Sequence, residues 1–381
     1  MDASPRRGTG ARILFVVPAA ALLLTGLYAG LVLLGVPVPL ILSERLADLH
    51  STLLVFGFVG TLISLERAVA LRARWAYLAP GLLAVGSILT LTPMPVAVGK
   101  AVVTVGLVVH LLQYRAIWRR QPMTATAVQA VGAAVAVAAA VAWAGGVGAP
   151  SLVPLLAAFL VLTIAGERLE LARMLAPGVA AERVVFGLSL ALGFGSVVSL
   201  VMPVVAVPLC GTILLALVAW LLRHDIARLT IRQSGLPRFV AVCVYAGYTW
   251  LALAGLAWLL GGARTEGPVY DAATHAIFLG FVITMIMAHA PLILPAVLRV
   301  SIPYHPALYV PVALLQLSLL VRVVAGDAWQ STIALQAGGI GAIVAIVLFA
   351  ATAVTVSVRH GRQTRRLPDR QTRARREESP R

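Results

Sequence analysis

Apolar residues run along this chain in long, nearly unbroken stretches, separated by short polar turns rich in arginine, glycine and proline. Most stretches hold about 20 residues, which is the length a helix needs to cross the hydrocarbon of a bilayer. The pattern predicts an all-α fold in which twelve helices span a membrane. The predicted spans cover residues 13–35, 49–71, 76–94, 97–117, 124–145, 151–166, 184–202, 204–222, 239–260, 271–297, 306–325 and 332–357.

Composition and charge support this reading and orient it. The chain is 60% hydrophobic and 12% charged, with a mean hydropathy of +0.96, which excludes a water-soluble protein of this length. The net charge of +16 is almost all arginine, since Lys100 is the only lysine. These arginines collect in alternate loops, so they indicate orientation and no nucleic-acid partner. The positive-inside rule places both termini in the cytoplasm, with the lipid of the inner (plasma) membrane as the surrounding partner.

Three segments then make up the chain. Residues 1–12 form a cytoplasmic N-terminus, residues 13–357 form one membrane domain, and residues 358–381 form a polar, basic tail that we expect to be disordered.

Two of the spans share a sequence. Span two reads GFVGTLI from Gly57, and span ten reads GFVITMI from Gly280. His50 precedes the first motif by seven residues, and His275 precedes the second by five. Span six ends in TIAGER, which is similar to TLISLER at the end of span two. Because these spans are four apart in the chain, the pattern predicts three repeated units of four helices.

The two histidines are the strongest candidates for chemistry. With the predicted topology, His50 and His275 lie at the outer side of their spans at similar depth. Imidazoles from two helices can bind a haem iron from both axial faces, so we predict one b-type haem with these residues as its ligands. Gly57 and Gly280 would leave room for the macrocycle near the backbone, although glycines in membrane helices also serve helix packing.

Other uses of the polar residues stay open. Neutral imidazole also suits copper or zinc, and Asp48 or Asp271 could complete such a site with His50 and His275. In the inner half of the membrane, His289, His110 and Glu66 are predicted to form a second cluster. That cluster would be a second haem site, a proton path or a polar knot between helices. The Glu-Arg pairs that close spans two and six fit interfacial ion pairs.

The arrangement resembles the large subunit of the haem–copper oxidases, in its twelve spans, its three four-helix units and its histidines on spans two and ten. The resemblance implies a haem–copper-oxidase-like fold in which His50 and His275 ligate a low-spin haem. That family also carries copper-ligating histidines on spans six and seven, and a second histidine two residues away on span ten. Here Ala273 and Ile277 occupy the latter positions and spans six and seven have no histidine, so an oxygen-reducing centre is not expected.

The pattern H-x4-G-F-V-x-T-M-I of residues 275–286 is similar to that of the NnrS-type proteins. This resemblance implies haem binding and a link to nitric-oxide metabolism and stress. The Gly-His-Thr-Gly-Arg run expected after it is replaced by AHAPLILPAVLRVSIPYHP, which weakens the link to nitric oxide more than the link to haem.

The sequence therefore predicts a haem-binding membrane protein that acts in electron transfer or in a nitric-oxide or redox response, with a redox partner that it does not identify. Whether the protein is an enzyme, and its oligomeric state, stay open. The alternatives are a secondary transporter or permease, and a membrane assembly factor for a haem or copper enzyme. Spans two, six and ten all begin at the outer side, so they form no inverted repeat, which disfavours the transporter.

Overall fold

A computed structural model describes residues 7–39, 45–175, 178–298 and 302–377, with side chains from residue 12 onward except at 174, 296–298 and 361–377. The chain is 87% helical, and no residue in the described ranges lies in a strand. The all-α class is therefore confirmed. Twelve long helices carry the fold: α1 Arg7–Leu33, α2 Leu46–Leu71, α3 Leu78–Thr90, α4 Val96–Arg120, α5 Thr124–Ala144, α6 Ala149–Ala172, α7 Val179–Val198, α8 Pro203–His224, α9 Leu236–Gly261, α10 Gly267–Pro295, α11 Pro306–Ala328 and α12 Thr332–Glu377.

Eleven of these helices are long and apolar enough to cross a membrane, by length and composition. The exception is α3, which has 13 residues and would rise only about 20 Å. Proline residues in the turn after it (Pro93 and Pro95) favour an early end. The predicted count of twelve spans is thus not confirmed. Helix α3 nevertheless packs closely on α4. The backbone of Val103 lies so near Gly86 that any side chain at this position would overlap it, and the glycine therefore permits the close approach.

The shared motif of α2 and α10 has the same backbone conformation in both helices. Each helix contains one π-helical segment, Leu53–Gly60 in α2 and Ala276–Ile283 in α10. Each segment begins four residues before the glycine of the motif and ends just before the shared threonine. The third candidate copy, α6, is α-helical throughout. The likeness therefore extends to the backbone in two of the three spans. Single π-helical turns are frequent at functional sites.

Helix α6 lies at the centre of the bundle. In its most apolar stretch 83% of the residues are buried, against 28% in α1. Helix α6 packs against α5, α7, α8 and α10, and against the start of α2, so neighbouring helices cover its apolar surface.

The last helix differs from the prediction for the tail. Helix α12 continues beyond residue 357, and its backbone is helical to Glu377, where the sequence analysis expected disorder. Arginine, which is the commonest residue of this stretch, has good helix propensity. The predicted N-terminal segment falls largely outside the described residues, since α1 begins at Arg7.

Candidate functional site

A cavity of about 440 Å³ lies between α1, α2, α6, α10, α11 and α12, a size typical of ligand sites. Its walls are mainly leucine, valine and isoleucine side chains. Its polar lining comes mainly from the first turns of α2 and α10, so it lies at the end of the bundle where these helices begin, which we call the His50 end. The polar lining residues are Asp48, His50, Ser51, Tyr270, Asp271, Thr274, His275 and Arg322.

The ring of His50 is held by α1. Its Nδ1 lies 2.7 Å from the carbonyl oxygen of Gly26, and because a carbonyl only accepts, Nδ1 must carry the proton. The lone pair is then on Nε2. One turn further along α1, a Cβ on Gly30 would lie 3.0 Å from Cε1 of this ring. Helix α1 therefore both orients the imidazole and leaves the space that it occupies.

The ring of His275 is oriented in the same way by its own helix. Its Nδ1 lies 2.9 Å from the carbonyl oxygen of Asp271 and 3.2 Å from Oδ1 of that residue, so Nδ1 again donates and Nε2 keeps its lone pair. Arg322 binds the Asp271 carboxylate through two hydrogen bonds of 2.8 and 2.7 Å. A carboxylate or carbonyl on the far nitrogen is the usual arrangement around a metal-ligating histidine.

The structure thus brings His50 and His275 to one cavity, as their matched depth predicted. Sequence reasoning missed Gly26, Gly30 and Arg322. A signal for Arg322 was present, since an arginine inside an apolar span is costly and usually functional. The carbonyl of Gly26 and the absent side chain of Gly30 left no comparable signal.

The two motif glycines face elsewhere. Neither Gly57 nor Gly280 lines the cavity. A Cβ on Gly57 would lie 3.0 Å from Oγ of Ser87 on α3, and one on Gly280 would overlap the side chain of Trp250 on α9. Of the two uses considered for these glycines, the structure supports helix packing, because the neighbouring helices occupy the space that a macrocycle would need.

At the opposite end of the bundle, which we call the Arg67 end, His289 has a different environment. Its Nδ1 lies 2.7 Å from the carbonyl oxygen of Met285, and its Nε2 lies 3.0 Å from Nη1 of Arg168. Arg168 binds Asp225 through hydrogen bonds of 2.7 and 2.5 Å, and the Tyr248 hydroxyl donates to the same carboxylate at 2.5 Å. Both nitrogens of His289 are therefore used.

The other two members of the predicted inner cluster have partners of their own. His110 donates from Nδ1 to Oε1 of Gln113 at 2.8 Å. Glu66 pairs with Arg67 at 2.8 Å, and Arg67 also reaches Glu167 at 3.3 Å. The Glu-Arg pairs of spans two and six thus meet through Arg67. No hydrogen bond or ion pair in the described residues joins His289, His110 and Glu66 to one another, and a second haem there stays a prediction.

The described residues contain no group of three or more histidine, cysteine, aspartate or glutamate side chains that could hold a metal ion. A closed zinc or copper site of His50, His275 and an aspartate would be such a group, so nothing in the described structure supports it. Axial ligation of a haem requires only two side chains, because the macrocycle supplies the remaining ligands.

Comparison with known proteins assigns the chain to a family but gives it no function. No curated protein and no solved structure matches the chain. Residues 12–358 match the model of a family described as "Domain of unknown function (DUF8744)", and the chain belongs to that family.

Proposed function

We propose that this membrane protein binds one b-type haem in the cavity at the His50 end, where Nε2 of His50 and Nε2 of His275 would hold its iron. One observation carries the proposal: two histidines from different helices line one cavity, and each donates from Nδ1 to a carbonyl. Each imidazole thus keeps a lone pair for iron on the other nitrogen.

The lining fits such a group in its chemistry. The walls along α1, α2, α10 and α12 are apolar and suit a flat aromatic macrocycle, while Asp271 and Arg322 fix His275 from behind. The Asp271 carboxylate lies 3.2 Å from Nδ1 of His275, the place that outer partners of metal-ligating histidines occupy. Ser51, next to His50, has a buried hydroxyl with no hydrogen-bond partner among the described residues, and it is available to a bound molecule.

A haem with two histidine ligands has no free coordination position, and the chemistry that it supplies is electron transfer. We therefore propose a role in electron transfer or in a nitric-oxide or redox response, the latter resting on the resemblance of residues 275–286 to NnrS-type proteins. The distribution of arginines supports a location in the inner membrane with both termini in the cytoplasm.

The direct test is a visible spectrum of the purified protein, oxidised and then reduced with dithionite, together with a pyridine haemochrome assay for stoichiometry. We expect about one haem per chain and sharp reduced α and β bands, as two imidazole ligands give. Addition of nitric oxide would show whether one ligand can leave. A colourless protein from haem-replete cells would overturn the proposal and turn attention to transport through the same cavity.

A further inference from the structure

We propose that a groove at the Arg67 end binds the phosphate headgroup of an anionic phospholipid. The groove lies between the last turns of α4 and the 3₁₀ turn Arg74–Tyr77 and encloses about 450 Å³. It contains three arginines and no carboxylate. Its lining residues are Trp75, Leu112, Arg115, Ala116, Arg119 and Arg120.

The positive charges are positioned but not neutralised. Arg120 donates from Nη1 to the carbonyl oxygen of Leu71 at 2.8 Å, which fixes it against the end of α2. Arg115 and Arg119 are exposed and, within the described part of the chain, have no hydrogen bond or ion pair. Being four residues apart on a helix, they are neighbours that repel each other. A phosphate would relieve this repulsion, because its oxygens accept charge-assisted hydrogen bonds from guanidinium groups.

The level of the groove relative to the membrane identifies a lipid as the source of the phosphate. Val105, Val108 and Leu112 are apolar residues on α4 that are 41–53% accessible, and their spacing continues to Arg115 and Arg119 on the same helical face. This face therefore changes from apolar to cationic at the groove itself. Such a change marks the boundary between hydrocarbon and headgroups, where tryptophan is also enriched, and Trp75 lies there with 41% of its surface accessible.

An anionic lipid can bind both the apolar and the cationic part of this surface at once. Its acyl chains would lie along Leu112 and the apolar stripe above it, while its phosphate meets the arginines. Basic pockets between helices at the cytoplasmic face of membrane proteins bind such headgroups. The groove is lined by α4 and the turn before α3, and α2 contributes only the Leu71 carbonyl that holds Arg120, so the inference does not depend on the proposed haem.

The test is native mass spectrometry of the full chain with phosphatidylglycerol or phosphatidylcholine added in detergent. The variant Arg115→Gln/Arg119→Gln removes two groove charges. Its matched control is Arg232→Gln/Arg238→Gln, which removes two exposed arginines from the segment around the start of α9. We expect the groove variant to lower phosphatidylglycerol affinity roughly 30-fold, from about 1 kcal/mol for each arginine. The control should change it by less than about threefold. Equal losses in both variants would overturn the site, since they would indicate diffuse attraction only.

A second measurement compares two lipids on the unmodified protein and uses one conservative variant to assign the signal. Brominated phosphatidylglycerol in mixed vesicles should quench tryptophan fluorescence more than brominated phosphatidylcholine does, and Trp75→Phe should remove that excess. Inorganic phosphate serves as the probe for the other source of the same chemistry. If phosphate alone displaces phosphatidylglycerol at equal concentration, the groove recognises a soluble anion, and the lipid proposal is wrong.

Discussion

Three histidines at the two ends of the bundle are oriented by the same kind of hydrogen bond, but they differ in whether the second ring nitrogen can bind a ligand. Nδ1 donates to a backbone carbonyl in His50, His275 and His289, at 2.7, 2.9 and 2.7 Å. The difference lies at Nε2, which meets Arg168 in His289, whereas His50 and His275 line a cavity. What a buried histidine can bind is therefore decided by its second nitrogen. A guanidinium there occupies the lone pair of Nε2, whereas the cavity leaves that lone pair free.

The largest expected effect is the loss of haem on removing either cavity histidine. His50→Ala and His275→Ala should each lower the haem content well below about one per chain, because each removes one of the two imidazoles that would hold the iron. His289→Ala should keep its haem, since its ring nitrogens are already used. Haemochrome assays on folded, monodisperse protein compare the three. Equal haem loss in His289→Ala would remove the distinction between the two ends.

The next effect tests the stability role of the Arg67 end. Asp225→Ala leaves Arg168, which is 2% exposed, as an unpaired charge, and breaking a buried pair in this way costs about 3–5 kcal/mol of unfolding free energy. Thermal and denaturant unfolding in detergent would measure it. Haem content should be unchanged.

A double variant controls for the pair itself. Arg168→Met/Asp225→Leu removes both charges, and apolar replacements of buried ion pairs are often neutral or stabilising. We therefore expect much of the lost stability to return. If the double variant is as unstable as Asp225→Ala, the cost comes from lost packing or from the Tyr248 hydrogen bond, and the network is not the ion pair that the contacts indicate.

A smaller effect should follow from loosening the support of His275. Asp271→Asn keeps the backbone carbonyl that accepts from Nδ1 but removes the carboxylate charge that Arg322 binds. Changes to such outer partners typically cost 10–100-fold in metal affinity. We expect that loss in haem affinity, together with a higher reduction potential, because a neutral amide donates less electron density through the imidazole. Potentiometric titration of the reduced bands measures the potential.

The control for this variant is Asp48→Asn, which changes another carboxylate of the cavity wall that has no hydrogen bond to a histidine in the described residues. Arg322→Gln should shift the potential in the opposite direction, since it leaves the Asp271 charge unneutralised. Unchanged potentials in both Asp271→Asn and Arg322→Gln would mean that the pair has no influence on His275 as a ligand.

The sequence predicted the positions of residues along their own helices. Spacing fixes depth, because each helical residue advances about 1.5 Å, and so the alignment of His50 with His275 was readable. The inner cluster was grouped by depth in the same way, yet His289, His110 and Glu66 have separate partners. Depth says nothing about which neighbouring helix a side chain faces. That depends on lateral packing, for which one sequence offers no repeat distance.

The contribution of α1 was unreadable for a related reason. It consists of a carbonyl group from Gly26 and a missing side chain at Gly30, and every residue has a carbonyl while many membrane helices contain glycine. Only the approach of α2 makes these two positions special. The count of twelve spans is not confirmed for a different reason: within residues 76–94 the α-helix covers only Leu78–Thr90, and Pro93 and Pro95 follow it.

The smallest predicted effect tests this contact with α1 directly. A Cβ on Gly30 would lie 3.0 Å from the His50 ring, so Gly30→Ala should push the imidazole away from the Gly26 carbonyl. Overpacking of this kind costs about 1 kcal/mol or more, which corresponds to a loss of about fivefold in haem affinity.

The same substitution adds helix propensity, about 1 kcal/mol in favour of alanine, which would hide the contact in a stability measurement. Gly187→Ala separates the two contributions, because a Cβ there meets nothing within 4 Å, and it should stabilise the fold without changing haem affinity. A Gly30→Ala protein that binds haem as tightly as Gly187→Ala would show that α1 does not position His50.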